Sequence, residues 1–258
     1  MYQDMAQTAR NTVKSVERTF RIIGGLQELG GAGVTELSKH LDLPKSTVHN
    51  YLSTLEQEAY VVKADDEYRV GLRFLEHGAY ARNQSQIFEI ARPELDRLAD
   101  ETGELCNLLV EEHGKGTYLY RTRGENAVRV KEHVGNRVCL HSTALGKAIL
   151  AHLSTERVDE IIERHGLPQT TERTVTDRDE LLETLADIRE RGVAFDDEER
   201  LSGLRCVAAP VLSNDDRVLG AISVSGPSHR FEDHRFREEL PKRVLETANV
   251  LELNVTYS

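Results

Sequence analysis

Leu43-Pro44-Lys45-Ser46-Thr47-Val48-His49-Asn50-Tyr51-Leu52-Ser53-Thr54-Leu55 is the stretch on which the reading of this chain turns. At about 100° per residue, Val48, Tyr51, Leu52 and Leu55 fall on one side of a helix, and Ser46, His49, Asn50 and Ser53 on the other. The outer stripe carries no large apolar side chain. It is made of short hydrogen-bonding groups flanked by Lys45, Thr47 and Thr54. Pro44 suits the first turn, where a backbone N–H has no helical partner to lose.

Upstream, Val16, Phe20, Ile23, Leu26 and Leu29 recur at helical spacing between Ser15 and Leu29, and Gly30-Gly31-Ala32-Gly33 ends that helix in a turn. A second helix is expected to start at Thr35 as N-cap, with Glu36 at its positive end and Val34, Leu37 and Leu41 facing inward. Helix, helix, tight turn and a helix with a polar outer stripe make a helix-turn-helix. Three such helices could equally be a packing module with a solvated face. Downstream, however, Tyr60-Val61-Val62-Lys63 and Glu67-Tyr68-Arg69-Val70 bracket Ala64-Asp65-Asp66 as a β-hairpin, where a winged helix has its wing. The hairpin tips the reading toward double-stranded DNA.

Gly71 to Arg82 continues as a helix with Leu72, Leu75 and Ala79, broken at Asn83-Gln84-Ser85. The expected division is a winged helix-turn-helix over 1–70, a linker helix over 71–84 and an α+β sheet domain over 85–258. In the last part a helical pattern from Ile87 to Leu98 is kinked or restarted at Pro93. Strands are expected at Leu105–Val110, Thr117–Arg121, Val128–His133, Cys206–Leu212 and Val218–Ser225. Helices are expected at Ala144–Leu153, Glu156–His165, Asp177–Arg191 and His234–Leu253.

Composition bounds the function. Of 258 residues, 39% are hydrophobic and 30% charged, which fits a globular protein rather than a disordered one. No run of 18 apolar residues exists, so no membrane-spanning helix is expected, and Met1 to Asn11 has no apolar leader core. The expected location is the cytoplasm. Cys106, Cys139 and Cys206 form no C-x-x-C pair, so they read as reduced, mostly buried thiols.

The net charge is −11, and the cations comprise 25 Arg against 8 Lys. Acid-rich, lysine-poor composition resembles that of proteins from salt-loving organisms, and a halophilic archaeon is the expected source. The total hides an asymmetry. Residues 1–83 hold 10 basic and 11 acidic side chains, whereas residues 84–258 hold 23 and 33. A locally positive face in the first third is therefore compatible with nucleic acid.

In the larger domain, Leu140-His141-Ser142-Thr143-Ala144-Leu145-Gly146-Lys147-Ala148 reads as a strand end, a cap at Ser142 or Thr143, and a helix start. The amides near Ala144, Leu145 and Gly146 would face outward, a setting for a carboxylate or phosphate. The Gly-Lys pair lacks the rest of a P-loop, so nucleotide is not expected. Alternation in Leu219-Gly220-Ala221-Ile222-Ser223-Val224-Ser225 puts Ser223 and Ser225 on one face, lining something other than a greasy core. Asp196-Asp197-Glu198-Glu199 has no histidine spacing of a metal site, and its bland reading is a solvated loop. Cys206 is either a small buried residue or a nucleophile, and His141 is its only plausible base. Neither a cofactor nor a metal is expected.

Five ordered segments carry a resemblance: Leu43-Pro44-Lys45-Ser46-Thr47-Val48-His49, Leu140 to Ala148, Phe195-Asp196-Asp197-Glu198-Glu199, Gly203 to Val211, and Ala221 to Pro227. From about Ser15 to Val255 the chain resembles the IclR family of transcription regulators. The resemblance implies a winged helix-turn-helix joined by a linker helix to a GAF-like effector domain, assembled as a homodimer or homotetramer on partly palindromic operators. Carried over by position, the effector pocket would use backbone groups of Ala144 and Leu145, side chains of Asp196, Cys206, Ser223 and Ser225, and apolar Leu204. Asp196 would accept a hydrogen bond from a ligand hydroxyl while repelling an anion, which favours hydroxy or hydrated oxo acids.

On the DNA side, Ser46, Thr47, His49, Asn50 and Ser53 are the expected groove residues, with Asn50 suited to adenine. Lys45, Arg18, Arg21, Lys39 and Arg69 are the expected phosphate contacts. Asp65-Asp66-Glu67 departs from the family by making the wing tip acidic. The expected function is a DNA-binding regulator controlled by a small organic acid, and not an enzyme. Two rivals are a thiol enzyme built on Cys206 with Cys139 or Cys106 as resolving partner, and a regulator whose pocket is vestigial.

Overall fold

Residues 11–257 are described in the computed structural model. The reading of Met1 to Asn11 as leader-free, Asn11 apart, concerns residues outside that range. One compact unit runs to Ala81, and a second is formed from Arg82 onward.

In the first unit, α1 (Lys14–Leu29) ends where Gly30 takes the left-handed conformation at φ 70°. Its apolar stripe holds only in the second half. Ile22, Ile23 and Leu26 are buried, while Val16 and Phe20, expected inside, are 50% and 65% exposed. The first turns of α1 run past the small core that the other elements provide. Helix α2 (Val34–Leu41) begins earlier than expected, with its N-cap at Gly33 rather than two residues on at Thr35. The reason lies just upstream. Ala32 exchanges two backbone hydrogen bonds with Tyr68, at 3.0 and 2.9 Å, and so fixes the chain immediately before the helix.

Asp42, left-handed at φ 51°, stops α2, and Pro44 leads into α3 (Lys45–Gln57). Strands β1 (Val61–Ala64) and β2 (Glu67–Val70) pair antiparallel as the wing. Ile22, Leu26, Leu37, Val48, Leu52 and Val61 close the core of this unit, each worth about 1.5–3 kcal/mol on burial. Helix α4 (Phe74–Asn83) starts later than expected, leaving Leu72 before it, and buries none of its residues.

The second unit is a three-layer sandwich. Its elements in order are α5 (Gln86–Thr102), β3 (Leu105–Glu112), β4 (Lys115–Arg123), β5 (Arg137–Cys139), α6 (Ala144–Leu150), α7 (Thr155–His165) and α8 (Arg178–Arg191). They continue with β6 (Ala194–Asp197), β7 (Leu204–Leu212), β8 (Val218–Pro227), a π-helical turn at Arg235–Glu239 and α9 (Leu240–Thr256). The six strands lie in the order β5-β4-β3-β8-β7-β6, every neighbouring pair antiparallel. Helices α5 and α9 cover one face through Cys106, Leu108, Val207, Ile222 and Val224. Helices α6, α7 and α8 share the other apolar cluster with Leu109, Cys206, Ala208 and Ala221. This is the α+β class expected, with Pro93 accommodated inside a continuous α5.

Two expectations fail here. Val128–His133 forms no strand; the edge partner of β4 is instead Arg137–Cys139. The alternation Val128-Arg129-Val130-Lys131 resembles a strand but is paired with none. The acidic run is no solvated loop either. It begins inside β6, and Asp196 and Glu199 are both buried.

Candidate functional site

The outer stripe of α3 is free. Ser46, His49, Asn50 and Ser53 are exposed and Thr47 is half-buried, while Val48, Leu52 and Leu55 face the core. His49 and Lys39 share an open groove of about 690 Å³ with Thr35, Glu36 and the wing residues Lys63 and Asp66. Lys45, Arg18, Arg21, Lys39 and Arg69 are all exposed. Two of them have intramolecular partners: Arg21 donates to the Leu41 carbonyl at 2.9 Å, and Arg69 pairs with Glu67 at 3.2 Å. Asp65, Asp66 and Glu67 at the wing tip are exposed. Together they place negative charge where Arg69 would otherwise stand alone.

The second site grows from the sheet's register. Arg121 on β4 sits opposite Asn107 on β3, Asn107 opposite Ser223 on β8, Ser225 opposite Cys206 on β7, and Cys206 opposite Asp196 on β6. A polar row therefore crosses five adjacent strands. Arg121 Nε donates to Asn107 Oδ1 at 2.8 Å. Asn107 Nδ2 donates to the Ser223 and Ser225 hydroxyls at 3.1 and 3.3 Å, and the Ser225 hydroxyl donates to Cys206 Sγ at 3.1 Å. Asp196 closes the row, with Oδ1 accepting the amides of Glu199 and Arg200 at 2.8 and 3.3 Å.

Leu145, Asp196, Leu204, Cys206 and Ser225 line one cavity of about 30 Å³. Ser223 is fully buried beside them, as is Ala144. Asn107, Arg121, Glu132 and Arg200 line the same cavity and were not anticipated. The one signal for Asn107 was a lone amide in the apolar run Leu105-Cys106-Asn107-Leu108-Leu109. For Arg121 nothing local pointed inward.

Helix α6 supplies the cavity's floor. Thr143 is the cap, its Oγ1 accepting the Gly146 amide at 2.9 Å, so that amide is used inside the protein and does not face a ligand as expected. The first-turn amides of Ala144 and Leu145 precede any helical carbonyl four residues back and keep their donor capacity. Gly146 has no room for a side chain: a Cβ there would overlap the backbone of Leu140.

Burial governs the charges. It pushes Asp196 up to about 7, an effect that Glu199 increases and Lys147 opposes. It also pushes the Cys206 thiol up to about 12 and draws the Arg121 guanidinium below its ordinary value. Arg121 Nη1 is buried without a hydrogen-bond partner, a defect that ordinarily costs about 1–3 kcal/mol.

The partners that a thiol enzyme would need are not gathered around Cys206. Cys206 is held as a thiol, and His141 hydrogen-bonds the Pro168 carbonyl at 3.2 Å in a different crevice, alongside Cys139. Cys106 packs in the cluster on the opposite face of the sheet. Among the described residues, no group of three His, Cys, Asp or Glu side chains is placed to hold a metal ion. No helix among them is long and apolar enough to cross a membrane.

Comparison with known proteins matches both units. The model of the "IclR helix-turn-helix domain" matches residues 15–65, and that of the "Bacterial transcriptional regulator IclR C-terminal" domain matches residues 79–252. A probable HTH-type transcriptional regulator, ArcR of Halobacterium salinarum, is 34% identical over 247 residues, covering 94% of each chain. The crystal structure of Thermotoga maritima IclR superposes with a TM-score of 0.79 at 27% identity, covering 95% of this chain and 99% of that one. The same fold recurs in an IclR homologue from Microbacterium hydrocarbonoxydans complexed with 4-hydroxybenzoate. There the TM-score is 0.77 at 22% identity, with 93% and 100% of the two chains covered.

Proposed function

The chain belongs to the IclR family of DNA-binding transcriptional regulators with a C-terminal effector-binding domain, and from that premise we propose that a small organic acid sets its affinity for operator DNA. The observation that carries this reading is the hydrogen-bonded row from Asn107 through Ser223 and Ser225 to Cys206, ending at Asp196. Hydroxyls and amides placed between helices and sheet orient a ligand's oxygens. A pocket left vestigial has no need of such a row.

In this reading the amides of Ala144 and Leu145 take the carboxylate, and Ser223, Ser225, Asp196 and Cys206 take a hydroxyl or hydrated oxo group, with Leu204 against the carbon chain. A cavity of about 30 Å³ holds little more than a water. The segment between β4 and β5, which contributes Val130 and Glu132 to the wall, therefore moves outward to admit the acid. The ligand changes operator affinity through its unequal affinity for two arrangements of a homodimer or homotetramer.

Residues 1–70 would be the winged helix-turn-helix, 71–84 the linker helix and 85–258 the effector domain. Ser46, Thr47, His49, Asn50 and Ser53 would enter the major groove of double-stranded operator DNA, and Lys45, Arg18, Arg21, Lys39 and Arg69 would meet phosphates. We place the protein in the cytoplasm of a halophilic archaeon. Its net charge of −11, its 25 Arg against 8 Lys and its likeness to a Halobacterium salinarum protein support that placement. In concentrated salt counterion release contributes little, so fit and dimer avidity carry the affinity.

The experiment is thermal melting of the full chain in molar KCl against small hydroxy, keto, sugar and aromatic acids, followed by operator binding with and without any hit. A hydroxy acid should raise the melting temperature more than its deoxy analogue and change operator affinity. No shift from any acid would leave the pocket unexplained and sink the reading.

A further inference from the structure

We propose that Arg121 anchors a second anionic group, so that the effector is a short hydroxy- or oxo-dicarboxylate rather than a monoacid. The inference rests on the organic-acid reading of the same cavity and narrows it. Arg121 is held in place from two sides. Its Nε donates to Asn107 Oδ1, and its guanidinium lies over the Tyr118 ring at 4.8 Å from the centroid. Asn107 cannot turn away, because its amide nitrogen is committed to Ser223 and Ser225. The guanidinium is thus oriented before any ligand arrives; Arg121 lines the cavity, and its Nη1 is buried and unpartnered.

The other cations around this cavity are already answered. Arg200 lies 3.8 Å from Glu132, and Lys147 lies 2.5 Å from Glu199. Glu132 is close enough to influence Arg121, yet its ion pair is with Arg200. Among the described residues lining the cavity, Arg121 is therefore the cation without a carboxylate in salt-bridge range. A planar fork of donors with one arm open fits a carboxylate better than a hydroxyl. Arg121 and Ser223 lie two strand spacings apart with β3 between them, about 10 Å at ordinary sheet spacing. A four-carbon diacid and the long arginine side chain can bridge that span together. Burial raises Asp196 to about 7, so a sizeable fraction is uncharged at pH 7, which lowers the repulsion a dianion would meet.

The test uses the full chain and two matched pairs, glycolate with tartronate and lactate with malate, each differing by one carboxylate. Dissociation constants are measured by calorimetry for the unmutated protein, Arg121→Gln and Arg121→Lys. At least one diacid should bind the unmutated protein about ten- to a hundredfold tighter than its monoacid, the scale of one charge-assisted hydrogen-bonding contact. That ratio should collapse to about one in Arg121→Gln and survive in reduced form in Arg121→Lys, which keeps the charge should the glutamine variant not fold. Equal binding of monoacid and diacid, or a preference that persists in a folded Arg121→Gln protein, overturns the inference and leaves the organic-acid reading standing. Failure of all four compounds to bind overturns the inference; the organic-acid reading falls with it only when the keto, sugar and aromatic acids also give no shift.

Discussion

Lys147 on α6 donates to Glu199, just beyond β6, at 2.5 Å, and the two side chains are only 3% and 12% exposed. The pair ties the cavity's floor to its wall. The Glu199 amide holds Asp196, and the Glu199 carbonyl accepts the hydroxyls of Thr170, Thr171 and Thr174 at 2.8, 3.1 and 2.7 Å.

Removing one partner strands the other. Glu199 Oε2 already lacks a hydrogen bond, so Lys147→Met should destabilise the protein by about 3–5 kcal/mol. The double variant Lys147→Met with Glu199→Leu should recover most of that loss. Denaturant unfolding measures both, and additive losses in the double variant would show that the two charges are not coupled.

Asp196 gives stability a slope with pH. An ordinary aspartate loses its proton near pH 4, whereas burial keeps this one protonated to about 7. Between those values the folded protein holds a proton that the unfolded chain has released. Stability therefore falls as pH rises from about 4 to 7, by at most about 4 kcal/mol. Asp196→Asn keeps an acceptor for the Glu199 and Arg200 amides and removes the charge. It should stabilise the protein at pH 8 and much less at pH 5, as read from melting temperatures at constant salt. The same gain at both values would count against the buried-proton account.

Ser223→Ala combined with Ser225→Ala should abolish the melting shift given by the best hydroxy acid. Asn107 Nδ2 would lose both acceptors, costing about 1–3 kcal/mol of folding stability as well. Melting without ligand separates the two effects, and a full ligand shift in the double variant would remove the serines from recognition.

On DNA, Asn50→Ala should cost about 1–3 kcal/mol on the preferred operator and little on unrelated sequence, the signature of a base contact. Lys45→Ala should weaken binding to all sequences alike and reduce the slope of log affinity against log salt by about one. Fluorescence anisotropy over a series of KCl concentrations reports both slopes. A uniform loss from Asn50→Ala would remove it from base reading.

The helix-turn-helix was legible because burial and exposure alternate within one short helix: Val48, Leu52 and Leu55 in, Ser46, His49, Asn50 and Ser53 out. Val16 and Phe20 show the limit, since periodicity marks an apolar face but not where the covering core ends. Ser223 and Ser225 were legible from alternation along β8. Asn107 and Arg121 were not, because their meaning comes from cross-strand neighbours. Asn107 meets Ser223 across a separation of 116 residues, a distance that local pattern does not report. Local pattern alone left Asp196 in a wet acidic run; the family resemblance put it in the pocket, and the pairing of β6 with β7 accounts for its turning inward.

Where the wall parts as proposed, part of an effector's binding energy would go into opening a pocket almost filled by its own side chains. Measured affinity is the intrinsic one scaled down by the fraction of molecules already open. A regulator built this way ignores trace metabolite and responds once the cell's pool has become large. On that reading its working threshold would be adjustable by substitutions in the β4–β5 segment.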